Sequence, residues 1–278
     1  MAIAATIDRA KWRLRNRARS AATTSDPRLA PLVEGLRRDG IVLSDAATVL
    51  GGGDLYDRAA ARAKELYDAP RDRGDAAAGS KESFKTKLAA GSFDAGDPFV
   101  EVALHPDVLA VANGYLRLRS TLRALELWLT EPTPGPAIQT QLWHRDADDV
   151  LNVKLFLYFN DVTRGAGPFT YAPRTHPLGD RRELPEHDDE WRTTDEQMAR
   201  IVPEAEWLVC EGAAGTAVFA DTCGYHKQLK PESAERLMLV GHYVSGTPYV
   251  PHALELRGVD AAALTDDQHV AVFDRARG

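Results

Sequence analysis

Between residues 122 and 244 the chain keeps returning to short runs that are apolar, or that alternate apolar with polar, each closed by Gly, Pro, Asp or Asn. Residues 125–130, 137–143, 153–159, 169–172, 215–220 and 237–244 all have this texture. Runs this short, with period two and turn residues between them, read as β-strands with one buried face. A series of such strands buries its apolar faces by closing into a barrel or a sandwich. This feature constrains the fold most, because it rules out a helical bundle for the second half of the chain.

Upstream the period changes. Residues 27–38 carry Leu29, Leu32, Val33 and Leu36 at helical spacing, with a stop expected at Asp39-Gly40. Ile41-Val42-Leu43 then reads as a short buried strand. Residues 54–67 and 106–116 repeat apolar positions on one helical face, the latter with Pro106 in its first turn. Residues 69–96, rich in Gly, Ala, Asp and Lys, are expected to be irregular. Residues 180–207 are acidic and polar and interrupt the strand series, as a surface excursion or a lid over the barrel mouth. The expected fold class is α+β with a mainly β core and N-terminal helices packed on it. We expect one domain over 1–278, with a helical part at 1–121 and a core at 122–250 that carries the 180–207 insertion. A tail at 251–278 completes it.

A formal net charge of -7 argues against nucleic acid as a partner, because phosphate binding needs a basic footprint. No apolar run is long enough for a membrane span, so no membrane partner is expected. Two cysteines, Cys210 and Cys223, make no multi-bridge framework, and no secretory apolar region is visible. The expected setting is the reducing cytoplasm. Arg9, Lys11, Arg13, Arg15, Arg17 and Arg19 crowd one short stretch, which is expected to be a solvated helix or frayed arm.

Most of the eight histidines need no special role, but His144 has informative neighbours. His144-Arg145-Asp146 follows a strand-like run, and in extended chain residues i and i+2 share a face. An imidazole and a carboxylate would then point the same way. A second histidine completes the facial triad that holds Fe(II) and leaves positions open for co-substrate and dioxygen. His226 is the candidate, in Gly224-Tyr225-His226, to which the strand-like run 215–221 leads. Arg236 follows ten residues later on the next strand. If these two strands are antiparallel neighbours, Arg236 faces the same interior as His226. A buried arginine there requires an anion, such as the distal carboxylate of a dicarboxylic acid.

The run Gln141-Leu142-Trp143-His144-Arg145-Asp146 resembles the metal strand of the phytanoyl-CoA dioxygenase family. So do Tyr158-Phe159-Asn160-Asp161-Val162, Gly167-Pro168-Phe169 and Ala172-Pro173-Arg174-Thr175-His176. The last departs from the family's Pro-Gly-Ser-His, with Arg174 for Gly and Thr175 for Ser. The resemblance implies a double-stranded β-helix (a jelly roll, cupin-like) and an enzyme dependent on Fe(II), 2-oxoglutarate and O2. It places the metal on His144, Asp146 and His226, and 2-oxoglutarate on Arg236. It also implies hydroxylation of a small molecule, natural-product-like or an acyl-CoA, with release of succinate and CO2. Related halogenases replace the carboxylate by a small residue. Asp146 therefore points away from halogenation.

Other candidates are weaker. Gln141 and Gln228 could each contact 2-oxoglutarate, against the reading of ordinary polar residues. Lys154 and Tyr158 share a strand face with Asn152 and Phe156 and are candidate substrate contacts; Lys154 reads either as pointing into the barrel to meet a carboxylate or, slightly better, as a solvated outer-face lysine. Lys85 and Lys87 read as a solvated charge run, His176 and His242 as structural, and Cys223 as a small buried residue. A catalytically silent jelly-roll binder and a zinc hydrolase using the same triad are the competing classes. The first predicts loss of a ligand, and the second has no need of Arg236.

Overall fold

The computed structural model describes residues 2–21, 23–70, 85–181 and 183–273. The expectation for residues 71–84 lies outside them. Its helices are α1 (Ala2–Arg15), α2 (Ala30–Asp39), α3 (Ala46–Val49), α4 (Leu55–Asp68), α5 (Pro98–Ala103), α6 (Pro106–Leu116), α7 (Asp195–Ala199) and α8 (Asp266–Phe273). The strands are β1 (Ile41–Asp45), β2 (Lys85–Ala90), β3 (Ser92–Asp94), β4 (Thr121–Thr130), β5 (Val153–Tyr158) and β6 (Phe169–Tyr171). They continue with β7 (Leu208–Val209), β8 (Thr216–Ala220), β9 (His226–Gln228), β10 (Arg236–Val244) and β11 (Glu255–Arg257).

Six strands form an antiparallel sheet in the order β1-β8-β5-β10-β4-β2, and three form a smaller antiparallel sheet, β7-β6-β9. Period-two alternation decides what each face of the large sheet meets. Leu155, Leu157, Leu237 and Leu239 point to one side, into a core shared with α2, α5 and α6. Phe156, Tyr158, Met238 and Val240 point to the other, where they meet Phe169 and Tyr171 of the small sheet. The mixed fold thus has a mostly antiparallel core, helices outside the large sheet, and a space between two sheets.

Three expectations are corrected. Residues 137–143 are not a strand: Gln139–Gln141 is a single 3-10 turn, and only Trp143 and His144 make isolated bridges, to Thr193 and His226. The Gln141 side chain accepts the Ile138 N–H at 3.0 Å, a donor that a strand ladder would need. Within 69–96, β2 is an ordered edge strand on β4, and β3 pairs in parallel with β11. Its Lys-rich sequence disguises it as a loop, although lysines are what an exposed edge tolerates. The N-terminal basic stretch is helical but not simply solvated. Trp12 is buried, its indole donating to Asp149 at 2.8 Å, and Arg19 donates to Thr121 at 2.7 Å.

Candidate metal centre

His144 and His226 exchange both backbone hydrogen bonds, at 2.9 and 3.0 Å, so the bridge extends the small sheet by one residue beside β9. The Asp146 N–H donates to Thr222 at 2.8 Å and fixes the third side chain beside them. The Thr175 hydroxyl accepts the Tyr225 N–H at 2.8 Å and donates to the Ala172 carbonyl at 2.7 Å, steadying the start of β9. His144 Nε2 then lies 3.9 Å from one Asp146 oxygen, and His226 Nε2 lies 3.7 Å from the other. Among the described residues these three form the candidate metal cluster, with one donor atom from each inside a 4.8 Å span. A single cation bound ~2.0–2.2 Å from N and O donors is on that scale.

The protonation pattern suits a metal. Nδ1 of His144 lies 3.0 Å from the Leu142 carbonyl, and Nδ1 of His226 lies 3.0 Å from the Gly224 carbonyl. Each ring therefore carries its proton on Nδ1, which leaves an Nε2 lone pair facing the cluster. Burial pushes both imidazoles below the usual histidine range and keeps them neutral. Burial alone would raise Asp146. The Lys154 ammonium outweighs it and holds the carboxyl well below its usual range.

Lys154 Nζ donates to Asp146 at 2.6 Å, which corrects its reading as a solvated outer lysine. On the inner face of β5 it meets a carboxylate of the cluster rather than solvent. Arg236 opens β10 on the same inner face and is 1% exposed. One of its guanidinium nitrogens donates to the Gly167 carbonyl, while buried Nε has no partner among the described residues. Burial lowers its proton affinity, and no carboxylate among the described residues pairs with it. His226 and Arg236 are not antiparallel neighbours, as expected, but face each other from opposite sheets.

The space between them is a cavity of about 120 Å³ whose wall includes His144, Asp146, Lys154, His226, Gln228 and Arg236. Buried Gln228 Nε2 and Thr140 Oγ1 both lack partners among the described residues, and both residues line this cavity. Gln141 and Tyr158 do not. Gln141 Oε1 accepts the Ile138 N–H, leaving its buried Nε2 without a partner among the described residues, and the Tyr158 hydroxyl donates to the Cys210 carbonyl at 2.9 Å. Sequence reading missed Thr140, Trp128 and the position of Lys85. Lys85 lines the cavity with its ammonium 3.8 Å from the Trp128 ring centre, and is no solvated charge. Lys87 pairs with Glu126 at 2.8 Å. The alternation of β4 signalled Trp128, but nothing in the sequence joined β2 to it. His176 and His242 are buried against the Arg37 carbonyl and Arg123, as expected of structural residues.

His144 and Asp146 also border a second, larger cavity of about 610 Å³ on their outer side. His144 and Asp146 thus stand in the partition between the two cavities.

A family model described as phytanoyl-CoA dioxygenase matches residues 36–229. The chain belongs to the phytanoyl-CoA dioxygenase family. Comparison with curated protein sequences found no match. Among solved structures, the chain is similar to the epimerase SnoN in complex with Fe3+, alpha ketoglutarate and nogalamycin RO. The two are 23% identical with a TM-score of 0.57, covering 85% of this chain and 93% of that one. It is also similar to the carbocyclase SnoK from nogalamycin biosynthesis, at 16% identity and a TM-score of 0.52 over 84% of this chain and 91% of that one. EctD from S. alaskensis, solved with 2-oxoglutarate and 5-hydroxyectoine, matches at 16% identity and a TM-score of 0.55, covering 81% and 79%. These likenesses support the shared fold. Among the described residues, no helix is long and apolar enough to cross a membrane.

Proposed function

We propose that this protein is an Fe(II)- and 2-oxoglutarate-dependent oxygenase built on a double-stranded β-helix, which hydroxylates a C–H bond of a small, natural-product-like molecule. The observation that carries the reading is the pairing of the His144, Asp146 and His226 cluster with an arginine buried without a carboxylate in one cavity. A zinc hydrolase has no use for that arginine, and a silent binder has no reason to keep all four groups.

The residues fit the absent groups. Two neutral imidazoles and a carboxylate form the donor set that holds Fe(II) on one face. The unpaired Nε of Arg236, with Gln228 and Thr140 beside it, offers donors to a dicarboxylate. Iron, when bound, supplies dioxygen activation coupled to oxidation of 2-oxoglutarate to succinate and CO2, one oxygen atom entering succinate and the other the product. The chain does the rest. Arg236 anchors the distal carboxylate, and its buried position gives the pairing a weakly screened setting. Lys154 holds one Asp146 oxygen, which orients the carboxylate within the cluster. The large chamber outside His144 and Asp146 receives the substrate and presents its C–H bond. Asp146 fills the position that a halide would need, which favours oxygenation. SnoN and SnoK are described as an epimerase and a carbocyclase, and this chain could turn the same chemistry to either outcome. An acyl-CoA is the alternative substrate, in keeping with the family's name.

The test is metal analysis of the purified protein with succinate release from 2-oxoglutarate. Iron at one equivalent and iron-dependent succinate are expected. His144→Ala and His226→Ala should each cut turnover at least a hundredfold. Full turnover in either variant, or turnover that survives with zinc alone, overturns the reading.

A further inference from the structure

The floor of the large chamber is His144 and Asp146, but its character comes from the 180–207 insertion. Asp188 builds a tight turn there. Its carboxylate accepts the Glu190 and Arg192 N–H groups at 2.9 and 2.8 Å, and its own N–H donates to the Arg192 carbonyl at 2.9 Å. That turn forces Trp191 into the left-handed region, at φ 60°, and leaves it 65% exposed. A non-glycine residue there costs ~1–2 kcal/mol, and an exposed indole forgoes its burial. The ring does not lie loose. It stacks on His187 with centroids 4.0 Å apart and 26° between planes, a flat double-ring face at the chamber wall. Tyr249, 62% exposed, lines the same chamber. So does Arg192, whose buried Nε has no partner among the described residues.

The charges lining the chamber are close to balanced: Arg145 and Arg192 against Asp146, Asp149 and Glu190. Such a wall gives no purchase to a nucleotide polyphosphate, which needs uncompensated cations. It suits a flat, weakly charged molecule with one oxygen for a guanidinium.

We propose that the substrate is a planar aromatic ring system bearing a carbonyl or phenolic oxygen, stacked on Trp191 and oriented by Arg192 toward His144 and Asp146. This rests on the oxygenase reading for its chemistry but not for its binding. The strain at Trp191 then has a purpose, since the turn holds the indole ready for a ligand face instead of letting it fold into the core.

The probe is 1,4-dihydroxyanthraquinone, titrated into the full chain with Mn(II) in place of iron and followed by tryptophan quenching and probe absorbance. Coenzyme A and maltose are titrated in parallel. Saturable binding of the anthraquinone is expected, weakened about tenfold by Trp191→Ala, largely kept by Trp191→Phe, and weakened by Arg192→Gln. Leu184→Ala, another exposed apolar residue of the insertion, should bind as wild type. Trp191→Ala should melt no lower than wild type, because the indole it removes is exposed and alanine bears the same backbone strain. Absence of saturable binding overturns the proposal, as do undiminished binding by Trp191→Ala, a clear fall in its Tm, or Trp191-dependent binding of coenzyme A or maltose instead. No iron turnover enters this measurement. A failed binding test with iron-dependent succinate intact rejects only the substrate class, and binding without any succinate rejects only the oxygenase.

Discussion

The single residues that matter most here are those whose partners lie far off in sequence. His144-Arg145-Asp146 was legible because its spacing is local, and His226 because it closely follows a strand-like run. Lys154 was not, since its lean toward solvent was decided only by a carboxylate eight residues back folding over it. Asp221 was equally hidden. It is fully buried, its carboxylate accepts the Tyr115 hydroxyl and the Cys223 N–H, and burial pushes its pKa up to about 6 from 3.8. The folded protein therefore binds this proton more tightly than the unfolded chain does. The stabilisation is complete below pH 3.8 and is lost as pH rises through about 6. Its size is roughly 3 kcal/mol. Asp221→Asn, which cannot ionise, should gain about that much over wild type between pH 4 and pH 7 in urea unfolding. Parallel pH curves for the two proteins would show that Asp221 ionises freely.

At the scale of elements, the boundaries with a chemical signature were readable. Gly40 was expected to stop a helix, and it caps α2 at φ 82°. The strand expected at 137–143 failed because a glutamine side chain competes with the ladder, and β2 was missed because its polar residues face both solvent and cavity. Such outcomes depend on neighbours that no local pattern contains. Gly40 also does something the pattern did not announce. A Cβ there would sit 2.4 Å from the Tyr171 hydroxyl and 2.7 Å from His176 Nδ1, both on buried rings. Gly52 has a similar φ of 81° with open space around it. Gly52→Ala should cost only the backbone term, ~1–2 kcal/mol. Gly40→Ala should cost about 1–3 kcal/mol more, because the α2–β1 junction must move off the small sheet. Chemical denaturation of both variants measures the difference, and equal costs would mean the rings yield freely.

For the whole molecule, the consequence of this architecture is that the residues proposed to hold the cation and the co-substrate come from two sheets. His226 belongs to the small sheet, and His144 and Asp146 are held to it by backbone hydrogen bonds, whereas Arg236 and Lys154 belong to the large one. Without ligands, the cavity between the sheets leaves a guanidinium desolvated without an anion and three donor side chains crowded together. Both are costs of the folded state that a cation and a dicarboxylate relieve. Anything that binds only the native form stabilises it, by about 2.7 kcal/mol at a hundred times its Kd. For a chain of this size that is a rise in Tm of roughly 5–10 °C. Mn(II) alone should produce part of the rise and Mn(II) with 2-oxoglutarate more, with neither step involving turnover. Arg236→Gln keeps the cluster and removes the charge, so it should respond to Mn(II) as wild type and lose most of the further rise with 2-oxoglutarate. His226→Ala should lose both, since without the cation there is nothing for the keto acid to chelate. If Arg236→Gln still gained the full second step, the dicarboxylate would be held by other residues. Lys85, on the same cavity wall, would be the next residue to remove.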